Sequence, residues 1–328
     1  MTSDRSKDTA ALENPAAPAQ DAATLVLFGA RSLCGEALLA QLPPSQPVHC
    51  LGRGAPAGAG LDPRLDWTAC DLTCLTPAAL EAAAAALPRT PQLWLSFAPL
   101  WHLAPFLAAM AERHPRDLRP VRALVACSSS SVVTKRFAAN RFDRELVTFL
   151  TAAQRQLEAT CEAHGIPLRI LAPTLIHGRT AHHADRNVET LRHLLRRLPL
   201  LPLPRHTGLR QPVAAADLAA VALAQAGRLA AEPVRHDRGQ TLLLLGGDES
   251  LPYRALLERI QKEDPATRRC RLVSLPTRLF HFLAAPLLLL NPRAFEAVLR
   301  IGADLAGFPT TAELLGRPPR PFRPRQAP

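Results

Sequence analysis

Four consecutive serines, Ser128 to Ser131, interrupt the stretch "VACSSSSVVTKR" (residues 125–136) between an apolar run and Lys135. A hydroxyl at the end of a strand can polarise a substrate oxygen or share a proton, and a nearby lysine can contact a phosphate or a substrate oxygen. The same residues also fit the polar edge of a buried strand, with Lys135 as a solvated loop residue. A second candidate is "GARSLCG", with Gly29 and Gly35 at its ends and Ser32 midway. A residue without Cβ at a sharp bend, and another where helix and strand pack closely, let amides at a helix start face a pyrophosphate. His177 ends the apolar stretch "PLRILAPTLIHG"; an imidazole titrates near neutrality and suits proton transfer, and a space-filling loop histidine is the alternative. His182, His183 and Asp185 raise the question of a metal. Adjacent histidines on one loop are poor ligands for a single ion, so this segment is expected near the mouth of a substrate site.

These residues need a scaffold, and the hydrophobic pattern supplies one. "ATLVLFGARSLCGEALLAQL" reads as strand, glycine turn and helix, the opening of a dinucleotide-binding unit. Strands follow in "PVHCLGRG", "LDWTACDLT", "QLWLSFAPL", "RALVACSSSS" and "PLRILAPTLIHG", separated by helical stretches such as "PAALEAAAAAL" and a long helix ended by Gly165. Short apolar runs alternating with helices predict an α/β doubly wound parallel sheet covered on both faces. Residues 1–23 read as a disordered leader and 24–178 as the dinucleotide-binding domain, with segments near 208–225 and 240–247 returning to it. Residues 179–316 form a smaller, mostly helical substrate region, in which "LPLLPLPRHTGLRQPV" is a proline-rich crossing. The closing "GRPPRPFRPRQAP" is expected to be a solvated, extended Pro/Arg-rich tail.

Composition narrows the classes of function. The chain has 328 residues, 48% of them hydrophobic, and a formal net charge of +11. Its arginines are scattered through every segment rather than gathered on one stripe, which argues against nucleic-acid binding. Seven cysteines lack the paired C-x-x-C spacing of zinc or redox sites, so no metal is expected and the thiols read as reduced, in a cytoplasmic protein. The N-terminus has no apolar core of a secretory signal. "LFHFLAAPLLLL" (279–290) would reach only about 18 Å as a helix, short of a bilayer core of about 30 Å. It is expected to be a buried helix pair, with peripheral membrane contact through residues 276–308 as the alternative.

On "GARSLCG", the serine stretch, Asp71 in "CDLT" and Asp217 in "GLRQPVAAADLAAVAL", the chain resembles an atypical member of the extended short-chain dehydrogenase/reductase superfamily, of the NAD-dependent epimerase/dehydratase-like branch. The resemblance covers about residues 24–323 and implies a Rossmann-type sheet with a smaller C-terminal substrate domain. It implies cofactor contacts from Gly29, Arg31, Ser32, Leu33, Gly35, Arg53, Asp71, Leu72, Phe97, Ala98, Pro99 and Pro173. Ser32 replaces the family's middle glycine, and Asp71 also reads as a turn or cap residue. Arg53 stands where NAD enzymes carry an acid for the ribose hydroxyls, which favours NADP, with NAD possible.

The implied activity is oxidoreductase or isomerase-like chemistry on a nucleotide sugar or related polar small molecule, with Ser129 as the catalytic hydroxyl. The family's Tyr-x-x-x-Lys pair is missing, because Leu150 falls at the tyrosine and Gln154 at the lysine. The chain's one tyrosine, Tyr253, and its three lysines, Lys7, Lys135 and Lys262, offer no substitute pair. Lys135 and His177 remain as candidate partners of Ser129. A non-catalytic NADP-binding structural or sensing protein and a membrane-surface protein handling a lipid-linked substrate are the alternatives.

Overall fold

The computed structural model describes residues 23–54, 62–136, 140–231 and 241–324; the expected leader lies outside the described residues. The first half alternates strand and helix: β1 (Thr24–Phe28), α1 (Leu33–Leu39), β2 (Val48–Gly52), β3 (Leu65–Ala69), α2 (Pro77–Ala86), β4 (Gln92–Ser96), α3 (Leu100–Arg113) and β5 (Val121–Cys127). The short α4 (Ser131–Thr134), the long α5 (Arg141–Ala163), β6 (Leu168–Pro173) and β7 (Ile176–His177) follow. The second half contains α6 (Arg186–Arg197), β8 (Leu200–Pro204), β9 (Leu209–Arg210), β10 (Val213–Ala214), α7 (Ala215–Ala231), β11 (Leu242–Leu245), β12 (Leu251–Pro252) and α8 (Tyr253–Glu263). It ends with β13 (Arg271–Leu275), α9 (Thr277–Ala284), α10 (Pro286–Leu290), α11 (Pro292–Ile301) and α12 (Thr311–Leu315).

The expected doubly wound sheet is present: seven strands in the order β11-β6-β5-β4-β1-β2-β3, every neighbouring pair parallel. Strand side chains alternate between two apolar layers. Val26, Phe28, Trp94, Leu124 and Ile170 face α2, α3 and α5, whereas Leu25, Leu27, Leu95, Val125 and Leu171 face α1 and α7. Phe28 and Trp94 are fully buried with ring centroids 5.1 Å apart, and each such side chain contributes about 1.5–3 kcal/mol. Helix α7 packs on α1, and β11 extends the sheet beyond β6.

A third apolar cluster, around Leu195, Leu203, Leu256, Leu257 and Ile260, holds the second half together. Here the structure departs from expectation in three places. The proline-rich crossing forms β8, which pairs in parallel with β13. Its prolines are tolerated because the two strands form a sheet of their own, in which each is an edge. The apolar segment 279–290 is not a buried helix pair: Phe282, Leu283, Leu288, Leu289 and Leu290 stand exposed on α9 and α10.

The third departure is the C-terminal segment, which is a docked strap over residues 317–324 rather than a solvated tail. Arg317 pairs with Asp248 at 2.7 Å and Asp217 at 2.8 Å, and the Arg320 amide donates to Asp248 at 2.9 Å. The Phe322 amide donates to Glu249 at 2.7 Å, while Arg259 and Arg192 donate to the carbonyls of Phe322 and Pro324. Phe322 itself is 3% exposed within the third cluster. Acidic partners at 217, 248 and 249 account for the arginines, and an apolar socket accounts for the phenylalanine.

Candidate active site

Ligands of doubly wound sheets bind outside the carboxyl ends of the strands, where the strand order reverses. That point lies between β1 and β4, and a cleft of about 680 Å³ opens there. Its walls are Ser32, Leu33 and Cys34 after β1, Phe97 to Trp101 after β4, Cys127 to Ser129 after β5, Leu146 and Leu150 on α5, and Ile176 with residues 183–187. Among the sequence candidates it brings together Ser32, Leu33, Phe97, Ala98, Pro99 and Ser129.

The glycines set the floor of the cleft. Gly29 turns at φ 77°, and a Cβ there would lie 2.7 Å from the Ala98 amide nitrogen. A Cβ on Gly35 would lie 2.3 Å from the Gly29 carbonyl oxygen, so only glycine lets α1 start this close to β1. Ser32 takes the N-cap of α1, its Oγ accepting from the Gly35 amide at 3.0 Å. The amides of Leu33 and Cys34 have no intrahelical acceptor and are left for a ligand. This cradle fits a pyrophosphate, with one amide fewer than a glycine at position 32 would leave. Arg31 is exposed beside the turn.

Farther along the same edge, Arg53 is exposed at the end of β2 and Asp71 at the end of β3. The Asp71 carboxylate accepts from the Thr73 amide and hydroxyl at 2.9 and 2.8 Å, and these bonds, with Arg53 and His102 nearby, hold it below the usual carboxylate range. Asp71 thus shapes its own turn, and Leu72 packs beneath it on the core. Helix α2 takes its cap from Thr76 instead. Pro173 is buried at the end of β6, where its carbonyl accepts from the Ser130 amide at 3.0 Å and so positions the serine loop.

Within that loop, Ser129 Oγ donates to Ser131 Oγ at 3.1 Å and accepts from the Ser131 amide at 3.2 Å. Ser128 Oγ accepts from the Gln154 side-chain amide at 2.8 Å. Leu150 lies on the cleft wall and Gln154 is buried one turn farther along α5. The two positions that would carry a tyrosine and a lysine thus hold an apolar wall and a neutral tether for the serine loop.

The two other candidates are elsewhere. Lys135 donates to Asp143 at 2.8 Å, and Asp143 also binds Arg300 of α11 at 2.7 Å, so the lysine belongs to a junction between helices. His177 is 2% exposed, its ring set edge-on to Phe322 at 4.7 Å with Nδ1 unpaired. Neither lines the cleft. Burial lowers the His177 pKa from 6.5 to about 4. Between those values the unfolded chain binds a proton that the folded chain refuses. Stability is therefore full above pH 6.5 and falls by about 3 kcal/mol as the pH drops to 4. Urea unfolding at pH 7 and pH 4.5 should show this component in the native protein and not in His177→Leu.

Sequence reasoning missed Glu36, on the first turn of α1. Its carboxylate accepts from the Thr180 hydroxyl, lies 3.1 Å from His182 Nδ1 and 3.5 Å from His183 Nε2. Residues 180–183 are thereby fastened over the glycine turn, and His183 joins the cleft wall. Asp185 caps α6 through the Val188 amide at 2.6 Å, which fixes Arg186 and Asn187 at the same mouth. The adjacent histidines were the available signal, but their acid lies 146 residues earlier in the chain. No cluster of metal-ligating side chains exists among the described residues. Burial pushes the Cys34 thiol up to about 12, which keeps it protonated.

Neither a protein-family model nor a curated protein matches the chain. Solved structures do. That of gox2253 superposes with a TM-score of 0.62 at 14% identity, over 91% of this chain and 94% of its own. MoeE5 in complex with UDP-glucose and NAD gives 0.55 at 16% identity, over 91% and 94%. GDP-mannoheptose C4 reductase from Campylobacter jejuni with NADP bound gives 0.54 at 12% identity, over 79% and 88%. At such identities the likeness is one of fold, and the chain has the Rossmann-type fold in which MoeE5 holds NAD and the Campylobacter reductase holds NADP.

Proposed function

We propose that this protein binds a nicotinamide dinucleotide, NADP in preference to NAD, and is an epimerase/dehydratase-like oxidoreductase for a nucleotide sugar or related polar substrate. The observation that carries this reading is a cleft joining the glycine turn to the serine loop at the reversal point of the sheet. The amides of Leu33 and Cys34 bind the pyrophosphate, and exposed Arg53 meets a 2′-phosphate. When bound, the dinucleotide supplies the hydride acceptor or donor. Ser129 hydrogen-bonds the reacting oxygen, which takes the place of Ser131 Oγ. Leu150 cannot move a proton; His183, on the cleft wall with Nε2 3.5 Å from the Glu36 carboxylate, is the side chain this reading assigns to do so. Arg186 and Asn187 hold the polar part of the substrate. The reading places the protein in the reducing cytoplasm, in keeping with seven free cysteines.

A second reading, a non-catalytic NADP-binding sensor, is favoured by one contact: Gln154 ties down Ser128 with no charge to offer the reaction. Thermal unfolding and turnover separate the two. At a hundredfold excess over Kd, NADPH should stabilise the protein by about 2.7 kcal/mol. Hydride transfer on nucleotide sugars that is lost in Ser129→Ala and in His183→Ala supports the enzyme. Protection without turnover, unchanged by Ser129→Ala, supports the sensor. No protection by NADP(H) or NAD(H) overturns both.

A further inference from the structure

The second half of the molecule presents an apolar surface that its own core does not use. On α9 and α10, Phe282 and Leu283 are followed by Leu288, Leu289 and Leu290, the last two 88% and 81% exposed. Isolated apolar side chains on a surface are ordinary, but a run of large ones this exposed marks a contact site. The inward side of the same segment is different: Phe280 and Ala284 are buried, so α9 is anchored with its other face outward.

The surrounding charge identifies the partner. Between residues 271 and 303 the sequence carries four arginines and one acid, Glu296, and one of the arginines, Arg300, is held by Asp143 at 2.7 Å. Glu296 is spent internally, accepting from the Asn140 amide at 2.8 Å and lying 3.7 Å from Arg300. Arg278 and His281 are exposed on α9, and Arg205 lies beside its start, where its amide donates to the Leu275 carbonyl at 2.8 Å. An exposed apolar ridge with a cationic border complements an anionic bilayer surface: leucines enter the headgroup boundary and arginines meet the lipid phosphates. A second copy of the chain would bring the same positive border against itself, on a molecule already at +11. Among the described residues no helix is long and apolar enough to cross a membrane, so contact is confined to one leaflet.

We propose that α9 and α10 dock this protein on anionic membrane surfaces. Docking has a consequence for the cleft. Helix α11 packs on α9 and is held to the first turn of α5 by Arg300 on Asp143 and by Glu296 on the Asn140 amide. Leu146, one turn farther along α5, already lines the cleft. The bilayer-facing surface and the cleft wall are thus joined through two helices.

Sedimentation of the full chain with phosphatidylcholine vesicles, with and without phosphatidylglycerol, tests the proposal. Binding should appear only with the anionic lipid and weaken at least tenfold in Leu289→Gln/Leu290→Gln, and again in Arg278→Glu. Circular dichroism must show both variants folded, which their exposure predicts. Absence of binding to anionic vesicles overturns the proposal, as does binding that the leucine variant leaves unchanged. A native dimer that the leucine variant turns into a monomer, with no vesicle binding, overturns it in favour of a second copy.

Discussion

Phe322→Ala is expected to lower the unfolding free energy by about 3–5 kcal/mol, the range for removing a buried aromatic ring from a packed site. The ring is 3% exposed and stands edge-on to His177, so truncation opens a cavity against a second buried side chain. The backbone around it is fixed by Glu249 and Arg259, which limits collapse into the space. Urea unfolding of the variant against native protein measures the loss. Arg320→Ala, three-fifths exposed on the same segment, should cost less than about 1 kcal/mol. If both variants unfold like the native protein, the strap is not part of the cooperative fold.

Asp143→Ala should be the next most damaging change. Burial alone would raise this carboxyl, yet hydrogen bonds from Lys135, Arg300 and Asn140 overcome it and hold the group well below the usual carboxylate range. Removing it strands Lys135 and leaves Arg300 with Glu296 alone at 3.7 Å, and each cation is about a quarter exposed. Water reaches them in part, so the cost falls between an exposed and a buried pair, about 2–4 kcal/mol. A depressed carboxyl contributes stability above its unfolded pKa and loses it as the pH falls. Native protein should therefore lose stability on acidification below about pH 4 by more than Asp143→Ala does, as read from urea midpoints. Lys135→Ala tests the role of that lysine at the same time: a similar loss of stability with turnover retained assigns it to the junction between α4 and α5.

The parallel sheet was legible because its determinants are local. Apolar runs of five residues separated by helical stretches leave few alternatives, and the glycine turn marked the end of β1 at which the cleft opens. Gly165, at φ 65°, ends α5 where its sequence position implied. Pairing with distant partners was not legible. The segment 200–204 carries two prolines and declares no strand until Arg271–Leu275 lies beside it. Arg317 and Phe322 read as solvated because their partners, Asp217, Asp248 and Glu249, lie 68 or more residues away.

The site divides along the same line. Ser32 and Ser129 could be placed from their positions after strands. His177 sits at the expected end of β6 and β7, but whether a histidine there meets solvent depends on what covers it, and Phe322 was assigned elsewhere. Lys135 was the only lysine near the serines, and Asp143, eight residues on, captures it. In both cases composition suggested reactivity, and tertiary packing sets the side chain against a partner outside the cleft lining.

The late return of α7 and β11 also bears on how the chain is made. When residues 24–178 have left the ribosome, six strands of the main sheet exist, but Leu95, Val125 and Leu171 still face water on the side that α7 will cover. That face closes only after residues 215–245 emerge, and the strap docks only after residues 317–324 do. Long-range contacts of this kind form slowly, and an open apolar sheet is prone to associate with others like it. The nascent protein therefore passes through a period in which its own packing does not yet cover this face.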